Sequence, residues 1–319
     1  MQSSTFLVDN EPYCIWDPEL QDSCTRFLKG LDPDYFQYAF NAHLETEDEK
    51  RASVALRLSL HHGLEAFFSL VGAFVQAPDC PFAWLSKCPT AALRSVVERI
   101  GKGDKELFTK LNISEPSWRE IARCVHHTYM PGTERQAETV DGFAKLWQRM
   151  AREFLAIEHI DEYNSIKHGF RVRSGGFGLA VAVESSPGVA PAPEAFQGLG
   201  KSDFGSTFFK IEPLSGCKGE RSLVLAEQSV NWSLERIVLL NQATYISINN
   251  VVSALRIVNN FAASDCKFLR PEDSKNFLSA WDHSPGVGSM TWRRGTNPTI
   301  ARTLTRREIL DSLNRSNDV

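Results

Sequence analysis

The sequence predicts a mainly α protein, a helical bundle with a small antiparallel β-sheet inserted before its last long helix. Three observations predict it. Apolar residues recur at helical spacing over 53–76 and again over 134–168. The period drops to two between 170 and 183, where Phe170 and Val172, then Phe177, Leu179, Val181 and Val183, alternate with their neighbours. Helical spacing then resumes from Asn231 or Ser233 to about Ala263.

In chain order, 18–47 reads as two short helices parted by a turn at Asp32-Pro33. The apolar helix over 53–76 stops at Pro78 and Pro81, because proline has no amide hydrogen to continue the ladder. Shorter helices follow at 90–101 and 116–127, the second entered through Ser114 and Pro116. Pro131-Gly132 breaks the chain. Thr133 and Gln136 then offer a capping box to a helix running from Glu134 to about His168.

Ser174-Gly175-Gly176 turns the alternating runs into a hairpin, and strand-like runs at 206–213 and 221–229 follow a Pro-, Gly- and Ala-rich loop. In the last helix Glu235, Gln242, Asn249 and Arg256 recur every seven residues as one polar stripe, so most of its circumference is buried. The chain thus divides into a bundle over 1–168, an antiparallel insertion over 169–230, a helix over 231–265 that completes the bundle, and a tail over 266–319, poorly ordered in part after Pro271.

Composition excludes several classes. With 42% hydrophobic and 23% charged residues in 319, the chain is neither collagen-like nor wholly disordered. A net charge of −4 gives no bulk attraction for nucleic acid, although six arginines (293, 294, 302, 306, 307 and 315) leave 289–319 positive. Seven cysteines without a C-x-x-C pair exclude a disulfide framework and a zinc ribbon, and fit reduced thiols in the cytoplasm. Four acidic residues before Leu20 and no base exclude a signal peptide, and no run of 18 apolar residues suggests a membrane span. Hydrolase elbow, phosphate loop and di-iron ligand order are all missing, so neither a metal nor a cofactor is expected.

One polar cluster stands out. At about 100° per residue, Phe143, Trp147, Met150, Phe154 and Ile157 share one line of the helix from Thr133. Extending that line puts Asp161 at its centre, His168 beside it and Asn164 near it, so all three should face the bundle and need partners there. Arg57, in line with Leu64, Phe68 and Val75, points inward from the first long helix with His61 beside it. Either is expected to meet Asp161. Arg152 and His159 fall on the opposite side, and His126-His127 reads as a frayed helix end. The cluster is open to two readings: a bonded core network, or a site mouth where Lys167, Arg171 and Arg173 hold an anion.

The segment Glu162-Tyr163-Asn164-Ser165-Ile166-Lys167-His168-Gly169 resembles the signature helix end of the HEPN superfamily. Asn164 and His168 match its polar residue and its histidine in type and spacing, while Tyr163 stands where its arginine would be. The resemblance implies an all-helical, metal-independent ribonuclease of a defence system, with His168 moving protons for attack of a ribose hydroxyl and Asn164 orienting it, beside Asp161. A substitute for the arginine, to stabilise phosphorane charge, would come from Lys167, Arg171, Arg173 or Arg57. The expected function is therefore binding or cleavage of RNA by an oligomeric cytoplasmic protein. The alternative is a non-catalytic helical protein that recruits a partner through its hairpin or its arginine-bearing tail.

Overall fold

The computed structural model describes residues 2–169, 171–214, 221–293 and 303–316. The chain falls into two compact units, Met1–Ile160 with Ser233–Ser284, and Asp161–Trp232 with Pro285–Val319. At 53% helix and 16% strand, in one four-stranded and two two-stranded sheets, the fold is mixed α/β. This corrects the mainly α expectation. The helices were read from the pattern, but an N-terminal hairpin and a strand in the tail were not.

The first unit opens with that hairpin, β1 (Gln2–Val8) and β2 (Glu11–Asp17), joined at Asp9-Asn10 with Asp9 in the left-handed region at φ 55°. Ser4, Phe6 and Val8 alternate inward. Its tip is held from both sides of one amide. Gln76 accepts the Asp9 N–H at 3.0 Å, donates to the Asp9 carbonyl at 3.0 Å, and also accepts the Trp84 indole at 3.1 Å.

The helices of this unit are α1 (Leu20–Gly30), α2 (Tyr35–Leu44), α3 (Glu49–Gln76), α4 (Pro81–Lys87), α5 (Thr90–Lys102), α6 (Trp118–Val125) and α7 (Glu134–Leu155). The start of α8 (Ile157–Lys167) and all of α9 (Leu234–Val258) complete it. α3 packs along α9, and Phe67, Phe68, Phe74, Trp84, Phe143 and Trp147 are fully buried around them. α3 is long and apolar enough to cross a membrane, but 67% of its most apolar window is buried, as in a core helix. The N-terminus of α7 is capped by Thr133, whose hydroxyl accepts the Gln136 amide. The Gln136 side chain takes the Gly132 amide instead of closing the box on Thr133 itself.

The segment after Pro271 belongs partly to this core. Phe277 and Ala280 are 3% and 4% exposed, and Gly142 of α7 leaves the space that the Phe277 ring fills. A poorly ordered tail was expected there because 266–319 shows no long apolar period. Single anchors such as Phe277 leave no periodic trace.

The second unit holds the rest of α8, β3 (Val172–Ser174), β4 (Gly178–Val181), β5 (Gln197–Lys201), β6 (Gly205–Pro213), β7 (Leu223–Asn231), β8 (Ser289–Arg293) and α10 (Arg306–Ser316). Its main sheet is antiparallel in the order β3-β6-β7-β8, and β4 pairs with β5. The expected hairpin through Ser174-Gly175-Gly176 is therefore corrected. β3 and β4 belong to different sheets, and the turn serves a close backbone approach. A Cβ on Gly176 would collide with the carbonyl oxygens of Ser202 and Phe204. Asn231 fastens this junction, accepting the Phe177 N–H and donating to the carbonyls of Phe177 and Val287.

Candidate functional site

The long helix expected from Glu134 to His168 breaks at Ala156, whose extended backbone (φ −64°, ψ 128°) ends α7 before α8 restarts. The break cancels the angular phase carried forward from Phe143. Ile157, placed on the inward line, is 57% exposed. His159, placed on the far side, is largely buried. His168, placed inward, is exposed at the helix end, where its amide bonds the Asn164 carbonyl and Gly169 takes a left-handed φ of 95°. The inward orientation expected of Asp161, Asn164 and His168 is thus corrected: the first two are half-buried and the third faces solvent.

The residues of this motif have other partners than expected. Asp161 pairs with Lys210 at 2.6 Å. Glu162 is fully buried and accepts Ser206 Oγ at 2.5 Å and the Trp232 indole at 2.8 Å. Tyr163 is buried, with the Lys167 ammonium 5.0 Å from its ring centre. Arg173 is tied to Glu227 at 2.6 Å, and Lys167 and Arg171 are exposed. The position that carries arginine in the resembled motif thus holds a packed ring, and the imidazole stands at a helix C-terminus. That end favours a cation and disfavours a phosphate.

Arg57 and His61 are 5% and 6% exposed and line one packed space with Met150, Glu153, His159 and Leu240. The His159 ring meets His61 edge-on at 6.0 Å between centres, and its Nδ1 lies 3.4 Å from Glu153. Glu153 also pairs with Arg236 and accepts the Trp281 indole at 3.0 Å. Burial opposes its ionisation. The charges of His159, Arg236 and Arg57 and the indole bond outweigh burial and hold the carboxyl below its usual range. No room for a water molecule remains among these groups, so the cluster is a tightly packed charge network.

His126 is likewise a core residue and not a frayed end. It is 0% exposed, stacks on Phe143 with centres 4.6 Å apart, and bonds the Ala122 carbonyl through Nδ1 and the Asn250 amide through Nε2.

What the second unit presents to solvent is a sheet face. Register places Phe209 and Ile211 of β6 opposite Glu227 and Leu225 of β7, Leu223 opposite Pro213, and Trp292 of β8 opposite Glu227. All of these share one face. Phe209, Ile211, Leu223, Leu225 and Trp292 are 57%, 64%, 60%, 48% and 63% exposed. The other face carries the buried Phe208, Ala226 and Val230 with Ser206, Lys210 and Gln228, and α8 lies against it through Glu162 and Asp161. Both faces thus carry apolar side chains, and among the described residues the face with the larger ones is open. Sequence reasoning took 206–213 and 221–229 as strands without asking which face each side chain takes. The alternating Phe209, Ile211 and Leu223, Leu225 carried that signal.

No family model matches the chain, and no curated protein and no solved structure matches it either.

Proposed function

We propose that this protein is a non-catalytic binding module whose working surface is the open face of the β3-β6-β7-β8 sheet. The observation that carries the reading is the run of five large apolar side chains on that face, each about half exposed or more. A contiguous apolar patch of this kind on a folded surface is a recognition site by default. A cytosolic setting fits the six described cysteines, all of them free.

Catalysis by His168 has little geometric support, because its ring is exposed at a helix C-terminus and a packed tyrosine ring stands where the resembled motif has its arginine. The test is single-stranded RNA incubated with wild type and His168→Ala. Neither is expected to cleave it. Cleavage by wild type that His168→Ala abolishes, with circular dichroism unchanged, would overturn the binding-module reading in favour of a ribonuclease.

A second reading, RNA binding without cleavage, is favoured by one observation. Phe209 and Trp292 lie on the open face with Arg173 on the neighbouring β3, and aromatic rings beside arginine form stacking platforms for single strands.

A further inference from the structure

We infer that the open sheet face pairs with the same face of a second copy of this chain, an inference that rests on the binding-module reading above. Three properties of the face point to this occupant.

The first is charge. The arginine of β3 on this face, Arg173, is bonded to the glutamate of the same face, Glu227, at 2.6 Å. The pair leaves the face near neutral, so two copies meet without repulsion.

The second is chemistry. Ile211, Leu223 and Leu225 extend the patch beyond the two aromatic rings. Aliphatic side chains offer a nucleobase no stacking surface, but they suit an interface that resembles a domain core cut in half. The exposure agrees: among the described residues no layer covers the large side chains of this face, as in one half of a sandwich core.

The third is area. From their exposed fractions, the five side chains offer about 600 Å² per copy, approaching the roughly 800 Å² per partner of a standard interface before the flanking polar residues are added. A two-fold axis through the sheet face doubles every contact, so a patch of this size closes a dimer without a second surface.

The test is sedimentation equilibrium of the full chain from nanomolar to high micromolar concentration, for wild type, Ile211→Ser/Leu225→Ser and Phe209→Ser. The substituted side chains are solvent-exposed in the single chain, so circular dichroism should be unchanged. Wild type is expected to sediment at twice the chain mass. The double variant should weaken self-association by about 100-fold or more, because each substitution is counted twice across the axis. A monomeric wild type over the whole range overturns the inference, as does a dimer indifferent to all three substitutions. A monomer that binds uridine-rich single-stranded RNA, and loses it in Trp292→Ala, overturns it in favour of a nucleic-acid occupant. These failures leave the absence of RNA cleavage untouched, so they are distinguishable from failure of the binding-module reading.

Discussion

Glu162 receives the Trp232 indole N–H at 2.8 Å on the same oxygen that takes the Ser206 hydroxyl at 2.5 Å. All three residues are nearly or fully buried. This carboxylate fixes α8 to the sheet, and it gives the polar segment around it a structural reason for its composition. Glu162→Ala leaves an indole and a hydroxyl without their acceptor and opens a gap. It should cost about 2–4 kcal/mol of unfolding free energy in urea titration. Glu162→Gln keeps one acceptor oxygen and should cost about half as much.

His168→Ala is the matching control two turns on. Its ring is exposed, so the same titration should move by less than about 0.5 kcal/mol. A loss comparable with that of Glu162→Ala would mean that the imidazole packs inward after all.

Gly142 tests the anchoring of the segment after Pro271. A Cβ at this position of α7 would enter the space of the Phe277 ring. Gly142→Ala should therefore destabilise by about 1–3 kcal/mol, despite the better helix propensity of alanine. Amide exchange should rise first across 274–282, where the displaced ring sits.

His126 gives a pH dependence. Burial depresses its pKa to about 4 from the usual 6.5, partly offset by its bond to the Ala122 carbonyl. Because the folded state binds this proton less tightly than the unfolded chain, its contribution is complete above pH 6.5. It declines as the pH falls from there towards 4, and the full loss is up to about 3 kcal/mol. Unfolding midpoints in denaturant, followed between those limits, should fall more steeply for wild type than for His126→Gln. Equal slopes would show that this imidazole does not set the acid limb.

How much was legible in the sequence follows from which signals are periodic. Helices α3, α7 and α9 were visible because each buries a stripe that repeats every third or fourth residue, as Phe143, Trp147 and Met150 do. The break at Ala156 was not visible. Alanine is the best helix former, and no proline or glycine marks the spot. One missed break then voided the phase carried beyond it, which is why His159 is largely buried and His168 exposed. The N-terminal hairpin was missed because its turn, Asp9-Asn10, lacks the usual glycine. Arg57 and His61 were singled out from their helix face, whereas the carboxylate beside them, Glu153, was passed over. Its burial depends on Arg236 and Trp281, which lie far along the chain.

The most direct measurement of the central claim is hydroxyl-radical footprinting of Phe209, Ile211 and Trp292 in dilute and in concentrated protein. The account predicts rapid oxidation of all three at high dilution and protection as concentration rises, with interior rings such as Phe143 and Trp147 protected throughout. Protection of the three at every dilution would contradict it, because the face would then be covered within the single chain and have nothing to offer a partner.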